Sequence, residues 1–317
     1  MLLLPILLNT PVALAPALPV SDLDVTRISA DATWVIHVNV ESLRATNLWK
    51  MFREEMRVGG AFDVDQDDLD GLRRFEQKFG FQPLDEVDAI TVSGNADMGD
   101  DPVIMVETGR VLDSALAQLQ QQSEYRSIRR DGIDLHGWEG GGDSGAFYIH
   151  HDGDRRVAVV SESENQLARA IDVLRGRAKN LQQSDERRLF PRWSHGSFLV
   201  IDAGGVLDDL ARFERASAVA EMARGLQLEV GESRGELYLT AHIIATNADA
   251  AQNIYSVLNG ARALASLAGT QHDVPPFAME ILNALELNVN GDDVSIQFRY
   301  DVRDLIDEVS KLEEWHH

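Results

Sequence analysis

From residue 33 onward the chain alternates short β-branched runs with stretches of helical period, and that alternation restricts it to folds in which helices pack on a sheet. Residues 33–40 (TWVIHVNV) are apolar, β-branched and barely interrupted, which predicts a central strand. Residues 41–56 then set Leu43, Leu48, Met51, Phe52 and Met56 at helical spacings, so a helix is expected. Strands are expected over 87–93 and 103–108, and a helix over 111–122 with Leu112, Leu116 and Leu119 in register. Residues 125–138 and 145–161 read as an antiparallel meander. Asp152-Gly153 marks a hairpin within it, because a tight primed turn needs positive φ. A helix over 164–175 closes this block.

A second block restarts in the same style. Residues 197–202 (SFLVID) are a strand like TWVIHV, and an Ala-rich helix is expected over 206–223. Strands follow over 226–230 and 236–245. A helix over 248–267 is expected to turn Ile254, Val257, Leu258, Ala261, Leu264 and Leu267 inward. Pro275-Pro276 breaks the chain before a helix over 277–285, strands over 287–289 and 294–300, and a closing helix over 302–312. Hairpins in place of single crossovers make the expected class α+β: two tandem modules of mainly antiparallel sheet packed with helices, ferredoxin-like in character. The modules are bounded as 20–180 and 190–317, with the polar, basic-rich stretch 176–188 (GRAKNLQQSDERR) between them.

The first twenty residues (MLLLPILLNTPVALAPALPV) hold no charge, while everything after Ser21 is densely charged. An apolar run ending in small-x-small triplets (ALA, APA) reads as a secretory signal peptide over 1–19, placing the mature chain in the periplasm, cell envelope or extracellular space. Pro11 and Pro16 interrupt the alternative, a membrane-spanning helix, so no membrane span is expected in the mature chain.

Composition removes whole classes of function. With no cysteine there is no disulfide scaffold, thiol catalysis, cysteine zinc site or lipidated cysteine. With 29 Lys+Arg against 52 Asp+Glu, the formal charge of −23 repels phosphate backbones, and nucleic acid is excluded as a partner.

Four short motifs resemble catalytic or binding signatures. Gly231-Glu-Ser-Arg-Gly235 fits G-x-S-x-G, but the strand-like ELYLT that follows makes it a hairpin and not a nucleophile elbow. Gly142-Asp-Ser-Gly145 and the Thr240-Ala241-His242 context match fragments of chymotrypsin-like proteases in the wrong order and without that family's cysteines. Gly140 to Gly142 lack the Lys-Ser/Thr of a phosphate loop. Asp63, Asp65 and Asp67 begin like an EF-hand, and Asp70 is a further candidate ligand in the same run. Yet Asp68 stands where a glycine makes the turn and Arg74 where a glutamate closes the shell, so an acidic helix N-terminus competes with a Ca²⁺ site. His150 and His151 are adjacent on an expected strand and point to opposite faces.

Residues 28–40 (ISADATWVIHVNV), the strand entry 84–92 (LDEVDAITV) and 102–109 (PVIMVETG) leading into a helix together resemble a family of exported bacterial proteins that carry duplicated α+β modules of unknown function. The resemblance implies export and a binding or structural role, and supplies no catalytic residue.

The expected function is that of an exported, non-enzymatic α+β protein, a binding or structural module of the cell envelope with a protein partner and no cofactor. Two alternatives stand beside it. One is a secreted or periplasmic hydrolase whose carboxylates or Ser/His pair are assembled only by the fold; the other is a Ca²⁺-dependent adhesion or stabilising protein.

Overall fold

The structure, a computed structural model, describes residues 22–58, 76–77, 82–95, 101–108, 112–130, 132–139, 146–153, 156–184, 196–204, 217–269 and 276–305. Its strands are β1 (Trp34–Asn39), β2 (Val87–Gly94), β3 (Val103–Thr108), β4 (Tyr125–Arg130), β5 (Ile133–Glu139), β6 (Ala146–Asp152), β7 (Val157–Ser161), β8 (Ser197–Gly204), β9 (Ala223–Ser233), β10 (Glu236–Ala245), β11 (Glu286–Asn290) and β12 (Asp293–Asp301). They form one twelve-stranded sheet in the order β11-β12-β10-β9-β8-β1-β2-β3-β7-β6-β5-β4. Every neighbouring pair is antiparallel. The helices are α1 (Val40–Ala45), α2 (Asn47–Val58), α3 (Pro83–Glu86), α4 (Asp113–Leu119), α5 (Glu164–Leu174), α6 (Ser217–Ala220), α7 (Ala248–Gly269) and α8 (Pro276–Ala284). The chain is an α+β protein built on a large antiparallel sheet.

The two sequence blocks meet at the β1–β8 pair, where Ile36 lies opposite Ile201, Val35 opposite Asp202 and His37 opposite Val200. From that seam each half runs outward in the same way. β1, β2 and β3 are sequential neighbours and β7 returns beside β3; β8, β9 and β10 are sequential neighbours and β12 returns beside β10.

Opposite residues of an antiparallel pair share a face, so the registers sort the side chains into two faces. One face carries Val35, Met105, Ile133, Leu135, Val157 and Val159, which bury against Leu167, Ala170, Ile171 and Leu174 of α5. Those four helical residues recur at intervals of three and four, and the Ser163 hydroxyl caps the helix by accepting from the Gln166 N–H. The other face carries the unbroken apolar row Val160, Ile104, Val92, Ile36, Ile201, Leu228, Ala241 and Ile296. At its far end Ile243, Ala245 and Val294 pack on Ala250, Ala251 and Ile254 of α7. Helices α5 and α7 therefore lie on opposite faces at opposite ends of the sheet.

Several expectations change. The single helix expected over 41–56 is two helices, because Thr46 is extended (ψ 158°) and serves both. Its hydroxyl donates to the Leu43 carbonyl (2.6 Å), ending α1, and accepts from the Trp49 N–H (3.0 Å), starting α2. The Asp152-Gly153 hairpin joins β6 to β7, but Asp152 pairs with Val157, and among the described residues between them positive φ falls on Arg156 (54°) and not on Gly153. Ala223 opens β9 where helix was expected, leaving α6 as the described part of that helix; 205–216 lie outside the described residues. The closing helix is described over 302–305. On α7, Ile254 is buried and Leu258 packs against the core, whereas Val257, Leu264 and Leu267 point to solvent. Among the described side chains of α7, those packed in the core lie in its first half. Finally, the stretch expected as a linker is tied down through residue 184. The Ala30 N–H donates to the Lys179 carbonyl (3.1 Å), the Leu181 N–H donates to the Ile28 carbonyl (2.8 Å), and Leu181 is buried.

Candidate functional site

Buried polar side chains concentrate on the α5 face where β2, β1, β8 and β9 run side by side. Thr91, His37, Val200, Glu229 and Thr240 occupy one row of that face, with Asp202 and Gln227 on the same face. His37 Nδ1 and Thr91 Oγ1 are 2.9 Å apart, and Gln227 Nε2 donates to Asp202 Oδ2 at 3.2 Å. Ser197 Oγ donates to the Glu229 carboxylate and lies 3.0 Å from Tyr238 Oη, which in turn donates to Glu229 at 3.4 Å.

A buried carboxylate is costly unless its lone pairs are satisfied, and two hydroxyls from adjacent strands do this for Glu229. Burial raises the Tyr238 phenol above its ordinary value; the Ser197 hydrogen bond lowers it, and the Glu229 carboxylate raises it again. Arg299 stacks over the Tyr238 ring, 5.7 Å from its centroid. Gly231 makes room for that ring, since a Cβ there would sit 2.3 Å from Tyr238 Oη and 2.6 Å from the Gly196 carbonyl oxygen.

A second pairing is more open. His242 Nδ1 lies 2.9 and 3.1 Å from the two carboxylate oxygens of Asp293, with both side chains about a third exposed. Asp293 orients the imidazole, and Ser295 stands opposite His242 in the register and so on the same face. His242 was legible only as a fragment of motif, and Asp293, fifty-one residues away, carried no sequence signal.

The remaining sequence candidates separate. Asp63, Asp65, Asp67 and Asp70 lie outside the described residues, as do Gly140 to Gly145. In the Gly231 to Gly235 segment, Arg234 (φ 57°) and Gly235 (φ 85°) form the β9–β10 hairpin turn, while Gly231 sits within β9. His150 is buried beside the Asp134 carbonyl, and His151 occupies the opposite face of β6. Among the described residues, no group of three or more His, Asp or Glu could hold a metal ion, and no helix is long and apolar enough to cross a membrane.

No protein-family model and no curated protein matches the sequence. Among solved structures, the chain is similar to crystal form III of TP0453 at 11% identity and a TM-score of 0.48, covering 91% of this chain and 98% of that one. Crystal form IV of TP0453 gives 11% identity and 0.48 over 90% and 96%, and crystal form I gives 11% and 0.46 over 92% and 98%. Nothing about binding or activity passes across a likeness of this size.

Proposed function

We propose that this is an exported, non-enzymatic α+β protein acting as a binding or structural module of the cell envelope, consistent with the resemblance to exported duplicated-module proteins. The observation that carries the reading is how the central polar band is used. Glu229 is satisfied by Ser197 and Tyr238, Asp202 by Gln227, and His37 by Thr91. These contacts stitch neighbouring strands together, which is the work of architecture.

Within the same proposal the halves are two copies of one module, 20–180 and 190–317. Each begins strand, helix, strand, strand, helix, strand in chain order, the ferredoxin-like succession, to which the first half adds β5, β6, β7 and α5, and the two are joined by the antiparallel pairing of Ile36 with Ile201. Export rests on the uncharged leader. Its test is the mass of the native protein and the compartment that releases it. The proposal expects loss of residues 1–19 and release by osmotic shock; an intact Met1 to Val20 in a cytoplasmic fraction overturns it.

One observation favours the hydrolase reading: the His242–Asp293 pair with Ser295 on the same face. If that group were catalytic, Ser295→Ala and His242→Ala would each abolish any ester or peptide hydrolysis by the purified chain. Hydrolysis that survives both substitutions, or is never detected, leaves the binding reading in place.

A further inference from the structure

Two asparagines in the chain precede a glycine, Asn259-Gly260 and Asn290-Gly291, and the fold treats them in opposite ways. Before glycine, the next backbone nitrogen reaches the asparagine side-chain carbonyl carbon most easily, because no Cβ stands in the way. Folding then decides whether the two atoms react. The nitrogen must lose its proton, and the asparagine ψ must turn to bring it against the side chain.

Asn259-Gly260 sits in the middle of the 22-residue helix α7. There the Gly260 N–H belongs to the i→i−4 ladder, and turning ψ of Asn259 would unwind the helix on both sides. The Asn259 side chain is also held, its Oδ1 accepting from Arg262 Nη2 at 3.0 Å. A Cβ built on Gly260 or on Gly291 would meet no neighbouring element within 4 Å, so crowding does not separate the two sites. Backbone hydrogen bonding does.

Asn290-Gly291 ends β11 and enters the two-residue turn to β12, where Asn290 pairs with Asp293 and Gly291 has a φ of 62°. In a tight hairpin the N–H of the first turn residue lies outside the ladder and faces water. Asn290 is exposed, and β11 is the terminal strand of the sheet, with β12 as its neighbour. Turning ψ of Asn290 therefore forfeits only ladder bonds to Asp293 at the sheet's edge. The second turn residue is fixed, because the Ala245 N–H donates to the Asp292 carbonyl (2.8 Å) and Arg224 pairs with the Asp292 carboxylate.

We propose that Asn290 is a site of spontaneous covalent modification, at which the Gly291 nitrogen displaces the side-chain amide. A bond forms from that nitrogen to Asn290 Cγ, the bond from Cγ to Nδ2 breaks, and ammonia leaves. Water then opens the cyclic imide at either carbonyl and gives aspartate or isoaspartate. Both products set a carboxylate directly opposite Asp293, where like charges destabilise a strand pair, and Asp293 is the residue that orients His242. Isoaspartate also lengthens the main chain by one carbon and breaks the period-two register of β11. The modification is a one-way loosening of the sheet's edge.

Peptide mass mapping of the purified protein, held for days at mildly alkaline pH, tests the site. Position 290 is expected to convert from amide to acid about tenfold or more faster than position 259, and more slowly in mildly acidic buffer, where the nitrogen keeps its proton. In urea the two positions should convert at the same rate, since the fold no longer distinguishes them. Equal conversion of both positions in the folded protein, or conversion at 290 only after urea, overturns the proposal. Asn290→Asp, which installs one product outright, is expected to lower the urea midpoint more than Asn290→Ser, because both remove the amide and only one adds the charge. Equal midpoints for the two variants would overturn the loosening of the edge.

Discussion

The Glu232 carboxylate, on β9, accepts hydrogen bonds from the backbone N–H of Leu48 and of Asn47 at 3.0 Å each, and so closes the start of α2 from the other half of the chain. Thr46 satisfies a third N–H of the same helix end through Trp49. These are groups a helix cannot satisfy internally, and a carboxylate is the favourable sign for that end of the dipole. Glu232→Ala is expected to cost about 0.5–2 kcal/mol in urea unfolding, with Glu232→Gln retaining part of it. A change within experimental error for both would mean that water replaces the cap without loss.

Gly231 and Ser233 lie two residues apart in a motif that looks catalytic, and their substitutions are expected to differ in kind. A methyl group at 231 collides with the Tyr238 ring and with the Gly196 backbone, so neither neighbour can step aside cheaply. Gly231→Ala should destabilise by roughly 1–3 kcal/mol, and Ser233→Ala by less than about 0.5 kcal/mol. Thermal unfolding of the two variants measures both. Equal effects would show that Tyr238 relaxes more freely than its packing implies.

Legibility followed the range of the interactions. β3 and β10 have the bounds that alternation alone assigns, and α5 is one residue shorter than expected, because period and flanking turn residues are local signals. The break at Thr46 is held in part by Glu232, which comes from a distant strand, so the apolar spacing of 41–56 reads as one helix. In α7 the apolar residues cover more than one side of the axis, and nothing local distinguishes Leu258, which packs, from Leu264, which does not. The pairing of Ile36 with Ile201 leaves no trace in either strand. The polar band was invisible for the same reason, since Ser197, Glu229 and Tyr238 meet only across strand registers.

The continuous β1–β8 pairing makes a claim about cooperativity. Ile171 on α5 and Ile254 on α7 are buried against opposite faces at opposite ends of one sheet. Each substitution to alanine should cost about 2–5 kcal/mol. If the sheet unfolds as a unit, calorimetry will show both variants shifting a single transition. If the halves are energetically independent modules, each variant will split off a transition of its own while the other stays in place.

His136 and His150 should make the protein less stable as the pH falls through the range where free imidazole titrates. Both are held below the ordinary value of 6.5, with burial the largest cause in each. Around His136 the Asp134 carboxylate works in the opposite direction and His151 adds to the lowering. Around His150 the Asp134 carbonyl and Asp152 oppose the lowering, while Arg175 and His136 reinforce it. A depressed folded-state value means that the unfolded chain takes up the protons first. The stability is therefore present above about pH 6.5, declines as the pH falls towards the folded values, and changes no further from this source once both states are protonated. Urea midpoints at about pH 7.5 and 5.5 should fall for the wild type, and the fall should shrink in His136→Gln/His150→Gln, because carboxylates titrate mostly below this window. An undiminished fall in the double variant would move the titration to other groups.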